Sequence, residues 1–365
     1  MEWLVAAAAL LLAFVNGAND NMKGVATLYG SGVLGYRRAL LLATVSTGLG
    51  SLASVALAGS LARAFSARGL VPDAALTPDF LAAVAFAAAA AVLLATRLGL
   101  PVSTTHALVG ALAGAGLVAA GSALDLSRLG GAFALPLLAG PLLGLALGAA
   151  LVRTGRSLSP RFAGAPDPCV CVERSELAAP AAAGAASLAS PELSLVIADA
   201  GACDARGGAR VLGLRLRPAI DAGHLLSGGL VGFARGVNDT PKIFGLVAGL
   251  GLVTPGTGAL VLGAAMALGG ALAARRVAET LARRLTPMTP GQGLAANAAT
   301  SFLVVGASQL GLPVSTTHVS AGGIFGIGAT SGALHWTLAG EVALAWVATL
   351  PLAAALGAIA MALLG

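Results

Sequence analysis

The sequence predicts an all-α polytopic membrane protein made of two inverted-topology repeats, each of about five transmembrane or re-entrant segments. Composition, the number of apolar stretches and an internal duplication predict it. Of 365 residues, 57% are hydrophobic and 10% charged, where a soluble domain carries about 25% charged residues. Mean hydropathy is +0.91. A spanning helix needs about 20 mostly apolar residues. Ten stretches qualify: 4–28, 39–64, 79–98, 101–121 and 131–152, then 221–250, 257–274, 294–310, 313–331 and 341–364. Two motifs recur in the same order in both groups. "FVNGANDNMKG" (14–24) is echoed by "FARGVNDTPKIFG" (233–245), and "PVSTTH" stands at 101–106 and again at 313–318.

Residues 1–152 form the first membrane repeat, 153–217 a cytoplasmic middle loop and 218–365 the second membrane repeat. Met1 to Val15 reads as a retained first helix rather than a signal peptide: Glu2 stands where a basic cluster belongs, and "NGANDN" follows instead of a small-residue cleavage site. The 51 glycines and many alanines, with 4% aromatics, predict helices that approach closely. Five segments is an odd number, so the second copy enters the bilayer from the opposite side. A re-entrant hairpin in place of two crossings changes the count by two and keeps the inversion.

Basic residues set the sides. Arg37, Arg38, Arg153, Arg156, Arg161, Arg215, Arg217, Arg275, Arg276, Arg283 and Arg284 all become cytoplasmic if both termini lie outside the cell (inner) membrane. The loop "GLVTPG" (251–256) then lies outside and is uncharged; Arg63 and Arg68 run against the pattern, offset by Asp73 and Asp79. The net charge of +6 is therefore a positive-inside signature and not a nucleic-acid footprint. Cys169, Cys171 and Cys203 lie in the middle loop. An odd count argues against a disulfide framework, and a fourth metal ligand is not evident.

Inverted repeats characterise secondary transporters, whose substrate sites lie near the midplane where discontinuous helices meet. In "LGLPVSTTH", Gly-Leu-Pro ends one helix and Pro suits the start of the next. Ser103, Thr104 and Thr105 then fall on a helix start, where unpaired N–H groups and a partial positive charge combine with hydroxyls into a nest for an oxyanion. Ser315, Thr316 and Thr317 repeat the arrangement, so two opposed helix starts can clasp one anion. N-capping alone explains a single copy; identical copies in both halves favour binding. His106 and His318 either donate to the anion, carry a coupled proton or pack the turn.

An intramembrane Asp is costly and functional by default. Gly17 and Gly236 are expected to loosen the helices ahead of Asp20 and Asp239. Asn19 with Asp20, and Asn238 with Asp239, then offer hard oxygen ligands suited to Na⁺ or H⁺. Lys23 and Lys242 each follow their Asp by three residues, on the same face if the helix continues. Three roles are open for them: neutralising the Asp, contacting the anion, or occupying the place of a bound cation. Pro241 is expected to break the second helix further. Arg235 stands where the first half has Asn16; it either attracts anions or snorkels to the surface, and the second is the expectation. "ETLARRLTPMTPGQG" (279–293) reads as a cytoplasmic connector in which Glu279 holds an ion pair.

These stretches resemble the inorganic phosphate transporter (PiT) family of Na⁺- or H⁺-coupled phosphate symporters. "GAND" (17–20), "GVND" (236–239), both "PVSTTH" stretches and "ETLARRLTPMTPGQGLAA" carry the resemblance, which spans both halves but not the middle loop. It implies an inverted-repeat fold with both termini outside, phosphate at the Ser/Thr-bearing helix starts and cations at the Asn-Asp pairs. The family commonly continues in a "GANDVANA"-like run where this chain reads "NMKG" and "TPKI", a departure that bears on the coupling ion. The expected activity is uptake of inorganic phosphate with Na⁺ or H⁺ across the lipid bilayer. No cofactor, no metal beyond Na⁺ and no nucleic-acid partner is expected, and a homodimer is left open. The alternatives are a sulfate or other oxyanion permease of the same fold, a membrane-embedded enzyme acting on a phosphorylated lipid, and a passive anion channel. The enzyme is disfavoured because no nucleophile–base set stands out beyond two histidines.

Overall fold

Seven helices in the computed structural model of the protein are long and apolar enough to cross a bilayer, which makes it a multi-pass α-helical membrane protein. The structure describes residues 1–158, 168–175, 192–199 and 216–365. The first half runs α1 (Glu2–Asp20), α2 (Ala26–Gly30), α3 (Tyr36–Leu57), α4 (Gly59–Ala64), α5 (Pro78–Arg97), α6 (Thr104–Ala120), α7 (Leu126–Leu129) and α8 (Leu135–Leu158). The second runs α9 (Leu216–Ala248), α10 (Pro255–Ala273), α11 (Arg275–Glu279), α12 (Pro290–Gln309), α13 (Thr316–Ser331) and α14 (Trp336–Leu364). The seven spans are α1, α3, α5, α6, α8, α10 and α14. The other three expected segments are helices too, but α13 is only 16 residues long and α9 carries Asp221, Arg235, Asp239 and Lys242.

Met1–Val152 and His224–Gly365 form one compact unit, and Arg153–Gly223 a second. In the second unit β1 (Pro168–Ser175) pairs antiparallel with β2 (Glu192–Asp199). This hairpin lies in the segment that the sequence predicts as a middle loop. "PCVCVERS" and "ELSLVIAD" alternate apolar and polar residues with β-branched members, the period of a strand. Cys169 and Cys171 lie on β1, whereas Cys203 and Arg161 lie outside the described residues. No group of three or more metal-ligating side chains occurs among the described residues.

The two membrane halves interlock through glycine seams, each joining one half to the other. Gly17 of α1 packs on the backbone of Met266 in α10, and Gly269 of α10 on Phe14 of α1. Gly236 of α9 meets Thr47 and Gly50 of α3, and Gly50 meets Phe233. Gly110 and Gly114 of α6 meet Leu350 and Ala354 of α14, and Gly322 and Gly326 of α13 meet Pro141 and Leu145 of α8. Lipid tails are as apolar as side chains, so close backbone approach through small residues replaces the hydrophobic effect as the packing force. Gly17 and Gly236 are thus packing positions and do not loosen their helices. The first break comes later: α1 stops at Asp20 and a turn at Asn21–Val25 leads into α2. The second expected break is absent, because α9 runs unbroken through Pro241. A Cβ at Gly17 would lie 1.9 Å from the Met266 carbonyl oxygen. Gly17→Ala is therefore expected to cost about 1–3 kcal/mol through overpacking, measured as a lowered thermal midpoint in detergent.

The two "GLPVSTTH" stretches are helical hairpin turns joining α5 to α6 and α12 to α13. Glycine, not proline, ends the incoming helix. Gly99 (φ +73°) and Gly311 (φ +71°) adopt the left-handed conformation. Around them Gly99 N–H donates to Thr96 O and Leu100 N–H to Ala95 O, matched by Gly311 to Ser308 and Leu312 to Ala307. Both are Schellman caps, and only glycine takes that φ without strain. Pro101 and Pro313 follow in the extended link and do not start the next helix, which begins three residues later.

Candidate functional site

The hairpin turns from the two halves meet inside the protein. Thr317 Oγ1 donates to Val102 O (2.8 Å) and Thr105 Oγ1 to Val314 O (3.4 Å). The His106 and His318 rings lie 4.3 Å apart, and His318 lies 4.2 Å from Trp346. Trp346 Nε1–H donates to Pro101 O (2.9 Å), so α14 braces the first turn. Every residue from Val102 to His106 and from Val314 to His318 is buried. The starts of α6 and α13 therefore face a common interior point. Ser103 and Ser315 act as N-caps, accepting from the N–H groups of His106 (3.1 Å) and His318 (3.2 Å). Thr104 Oγ1 donates to Asp20 Oδ2 (3.2 Å). Thr316 is buried at the matching position of the second turn.

The Asn-Asp pairs split their tasks. Asn19 fastens α1 to the first hairpin: its amide donates to Thr96 Oγ1 (2.9 Å) and Leu100 O (3.0 Å), and its oxygen accepts from Val102 N–H (3.1 Å). Asn238 does the same for the second, donating to Val314 O (3.2 Å) and accepting from Ser308 Oγ (3.1 Å). Their oxygens are occupied by protein donors in this state, which leaves the two aspartates as the anionic groups facing the junction.

Lys23 and Lys242 point into the turns. Lys23 Nζ donates to Asp20 Oδ1, to Thr317 Oγ1 and to Val102 O (3.1 Å). Lys242 Nζ donates to Val314 O (2.6 Å) and Thr105 Oγ1 (2.7 Å) and lies 3.7 Å from Asp239 Oδ1. Arg235 is 1% exposed, so it does not snorkel. Its guanidinium donates to Asn16 Oδ1 (2.6 Å), Asn21 Oδ1 (3.0 Å) and Thr47 Oγ1 (3.2 Å), with Nε 3.5 Å from Asp239 Oδ2. Asn16 links the two halves: its amide nitrogen is 3.1 Å from Asp20 Oδ2, 3.2 Å from Asp239 Oδ2 and 3.0 Å from Thr104 Oγ1.

Among the described residues, the fully buried charged side chains are Asp20, Lys23, Arg235, Asp239 and Lys242. All five belong to this one cluster. Counted in their ionised forms, three basic groups face two carboxylates, a formal excess of one positive charge. Burying an unbalanced charge costs several kcal/mol unless a partner arrives. The natural partner is an anion presented to hydroxyls and helix N-termini.

The comparisons with known proteins fit this geometry. A family model described as "Phosphate transporter family" matches residues 16–357. The chain belongs to the phosphate transporter family. Within the family, the chain is 28% identical over 97% of its length to a protein of Mycobacterium bovis named as a probable low-affinity inorganic phosphate transporter, covering 75% of that protein. It is 27% identical over 96% of its length to a protein of Haemophilus influenzae named "Putative phosphate permease", covering 93% of it. A solved structure titled "The sodium-dependent phosphate transporter" has the same fold, with TM-score 0.76 and 22% identity over 100% of this chain and 98% of that one.

For this family member, sequence reasoning did not find Asn16, Arg235, Thr96, Ser308 or Trp346 as parts of the cluster. Arg235 had a usable signal. It lies four residues before Asp239, one helical turn away on the same face. The expected connector at 279–293 is also more than a loop. Thr280–Arg284 is a π-helical turn with Thr280, Leu281 and Ala282 buried. Thr280 Oγ1 donates to Gly99 O (2.8 Å), supporting the first hairpin turn. Glu279 pairs with Arg275 at 3.0 Å, as the sequence indicates.

Proposed function

We propose that this family member is a secondary active transporter that takes up inorganic phosphate, coupled to Na⁺ or H⁺, across the cell (inner) membrane. The observation that carries the reading is the cluster of three basic and two acidic side chains buried where two hydroxyl-bearing helix starts face each other. Phosphate would enter that junction and take donors from Thr104, Thr105, Thr316 and Thr317 and from the exposed N–H groups of the helix starts. Ser103 and Ser315 would shape the starts as caps. His106 and His318, packed against each other between the turns, would sense or complete the anion site. Asp20 and Asp239, positioned by Asn19 and Asn238, would hold positive charge beside the substrate.

The two halves would be inverted repeats, with α5–α6 and α12–α13 as re-entrant hairpins that rock around the shared site. Both termini and the Arg63 end would face outside, and the middle segment the cytoplasm. Contacts support that orientation. Arg283 lies 4.4 Å from the Tyr29 ring and Arg275 6.0 Å from the Tyr36 ring, which gathers the basic residues near 37–38 and 275–284 at one end. A cavity of about 440 Å³ near α4 and the end of α9 collects Arg63, Arg68 and Arg128, where an incoming anion would first meet the protein.

A second reading, a sulfate or other oxyanion permease, has one observation in its favour. Asp20 already accepts from Lys23, Asn16 and Thr104, and Asp239 from the amides of Asn16 and Asn238, so neither is left to receive a proton from phosphate. Uptake of ³²P-phosphate into liposomes holding the purified protein, with unlabelled sulfate as competitor, separates the two. Saturable phosphate uptake resisted by sulfate at tenfold or greater excess, on the order of one decade of affinity, is the expected result. Uptake of ³⁵S-sulfate that phosphate does not inhibit would replace phosphate as the solute.

A further inference from the structure

Each buried ammonium sits in a cage of oxygens, and the two cages match. Around Lys23 Nζ stand the Asp20 carboxylate, the Val102 carbonyl at 3.1 Å and the Thr317 hydroxyl. Around Lys242 Nζ stand the Asp239 carboxylate at 3.7 Å, the Val314 carbonyl at 2.6 Å and the Thr105 hydroxyl at 2.7 Å. In both, the carboxylate and the carbonyl come from the lysine's own half and the hydroxyl from the other. The carbonyls belong to the unwound links between Gly-Leu-Pro and the following helix, the kind of backbone from which transporters build cation sites.

One anionic oxygen, one peptide oxygen and one hydroxyl oxygen are the donor set of a hard cation. A lysine placed only to neutralise its aspartate would need the carboxylate alone. It would not have to reach across to the opposite hairpin, and it would not do so twice in the same pattern.

We infer that the ammonium groups of Lys23 and Lys242 occupy two cation sites as tethered counter-ions, so that oxyanion uptake by this chain does not depend on Na⁺. This deepens the proposed function and rests on it for the transport step. A Na⁺ gradient then has no site through which to act, and any coupling falls to protons. The tethered charges also hold the two hairpin turns together, since each lysine bridges its own turn and a threonine of the other.

Two measurements on the purified full-length protein test it. The first is ²²Na⁺ binding in detergent; the second is ³²P-phosphate and ³⁵S-sulfate uptake in liposomes with Na⁺ or choline outside and with or without a pH gradient. Linked ligands typically alter each other's affinity by about 5–150-fold. Wild-type protein is expected to bind no ²²Na⁺ above background, and its uptake to change by less than about twofold when choline replaces Na⁺. Lys23→Asn/Lys242→Asn, which empties both cages while keeping polar side chains, is expected to gain ²²Na⁺ binding. Saturable ²²Na⁺ binding by the wild type, uptake that rises fivefold or more with Na⁺ (the low end of that linkage range), or a folded double variant without ²²Na⁺ binding would each overturn the inference. The wild-type measurements need no variant, so the inference stays open to refutation even if the substituted protein misfolds. Absence of any oxyanion flux would sink the transport reading instead, and ²²Na⁺ binding would still test the tethered-cation assignment.

Discussion

Asp20→Ala is expected to cost about 3–5 kcal/mol of stability, because it strands a buried ammonium. Lys23 is 2% exposed and has no second carboxylate among its hydrogen-bond partners. The substitution also removes the acceptor of Thr104 and one acceptor of Asn16. Adding Lys23→Met should recover more than half of the loss, since an apolar side chain of similar length needs no partner in a low-dielectric site. The double variant is nevertheless expected to remain inactive, as the junction still lacks its charged pair. Thermal unfolding of the single and double variants in detergent measures the coupling. An Asp20→Ala protein that melts with the wild type would show that Lys23 does not depend on this carboxylate.

Arg235→Gln is expected to lower the efficiency of phosphate uptake about 100-fold, within the range seen when one member of a buried charge pair is removed. The change cancels the excess positive charge of the cluster while leaving both lysine–aspartate pairs in place. Glutamine can still donate to one of Asn16 and Asn21, so folding should suffer less than transport. Arg235→Lys keeps the charge but loses the planar fork that spans Asn16, Asn21 and Thr47. It should fall between the two. Uptake by Arg235→Gln with an unchanged KM would mean that the guanidinium balances only the aspartates, and that the substrate finds its counter-charge elsewhere.

The positions of the helices are largely legible in the sequence, because hydropathy and the duplicated motifs report on single segments. The meeting of the hairpin turns is legible as well, since "PVSTTH" recurs in both halves. What stays hidden depends on partners from the opposite half. Nothing local to Lys23 announces Thr317, 294 residues away. Among three open roles for that lysine, only the tertiary structure supplies the oxygen cage. Gly17 reads as a flexible joint because glycine often is one; its packing on Met266 belongs to a seam that no single segment reveals. Pro241 reads as a break because proline removes a helix hydrogen bond. A membrane helix with neighbours on both sides tolerates that loss. Arg235 reads as a surface residue because long cations usually reach water, yet Asn16, Asn21 and Thr47 of the first half take the place of water.

The exchange of Asn16 in one half for Arg235 in the other carries a consequence of its own. Two identical subunits meeting on a dyad contribute ionised groups in even numbers, so such an assembly would hold either no guanidinium here or a pair. Halves that differ in sequence within one polypeptide are free of that constraint. Carried on a single polypeptide, the junction can therefore hold an odd number of basic groups and a lopsided electric field at its centre.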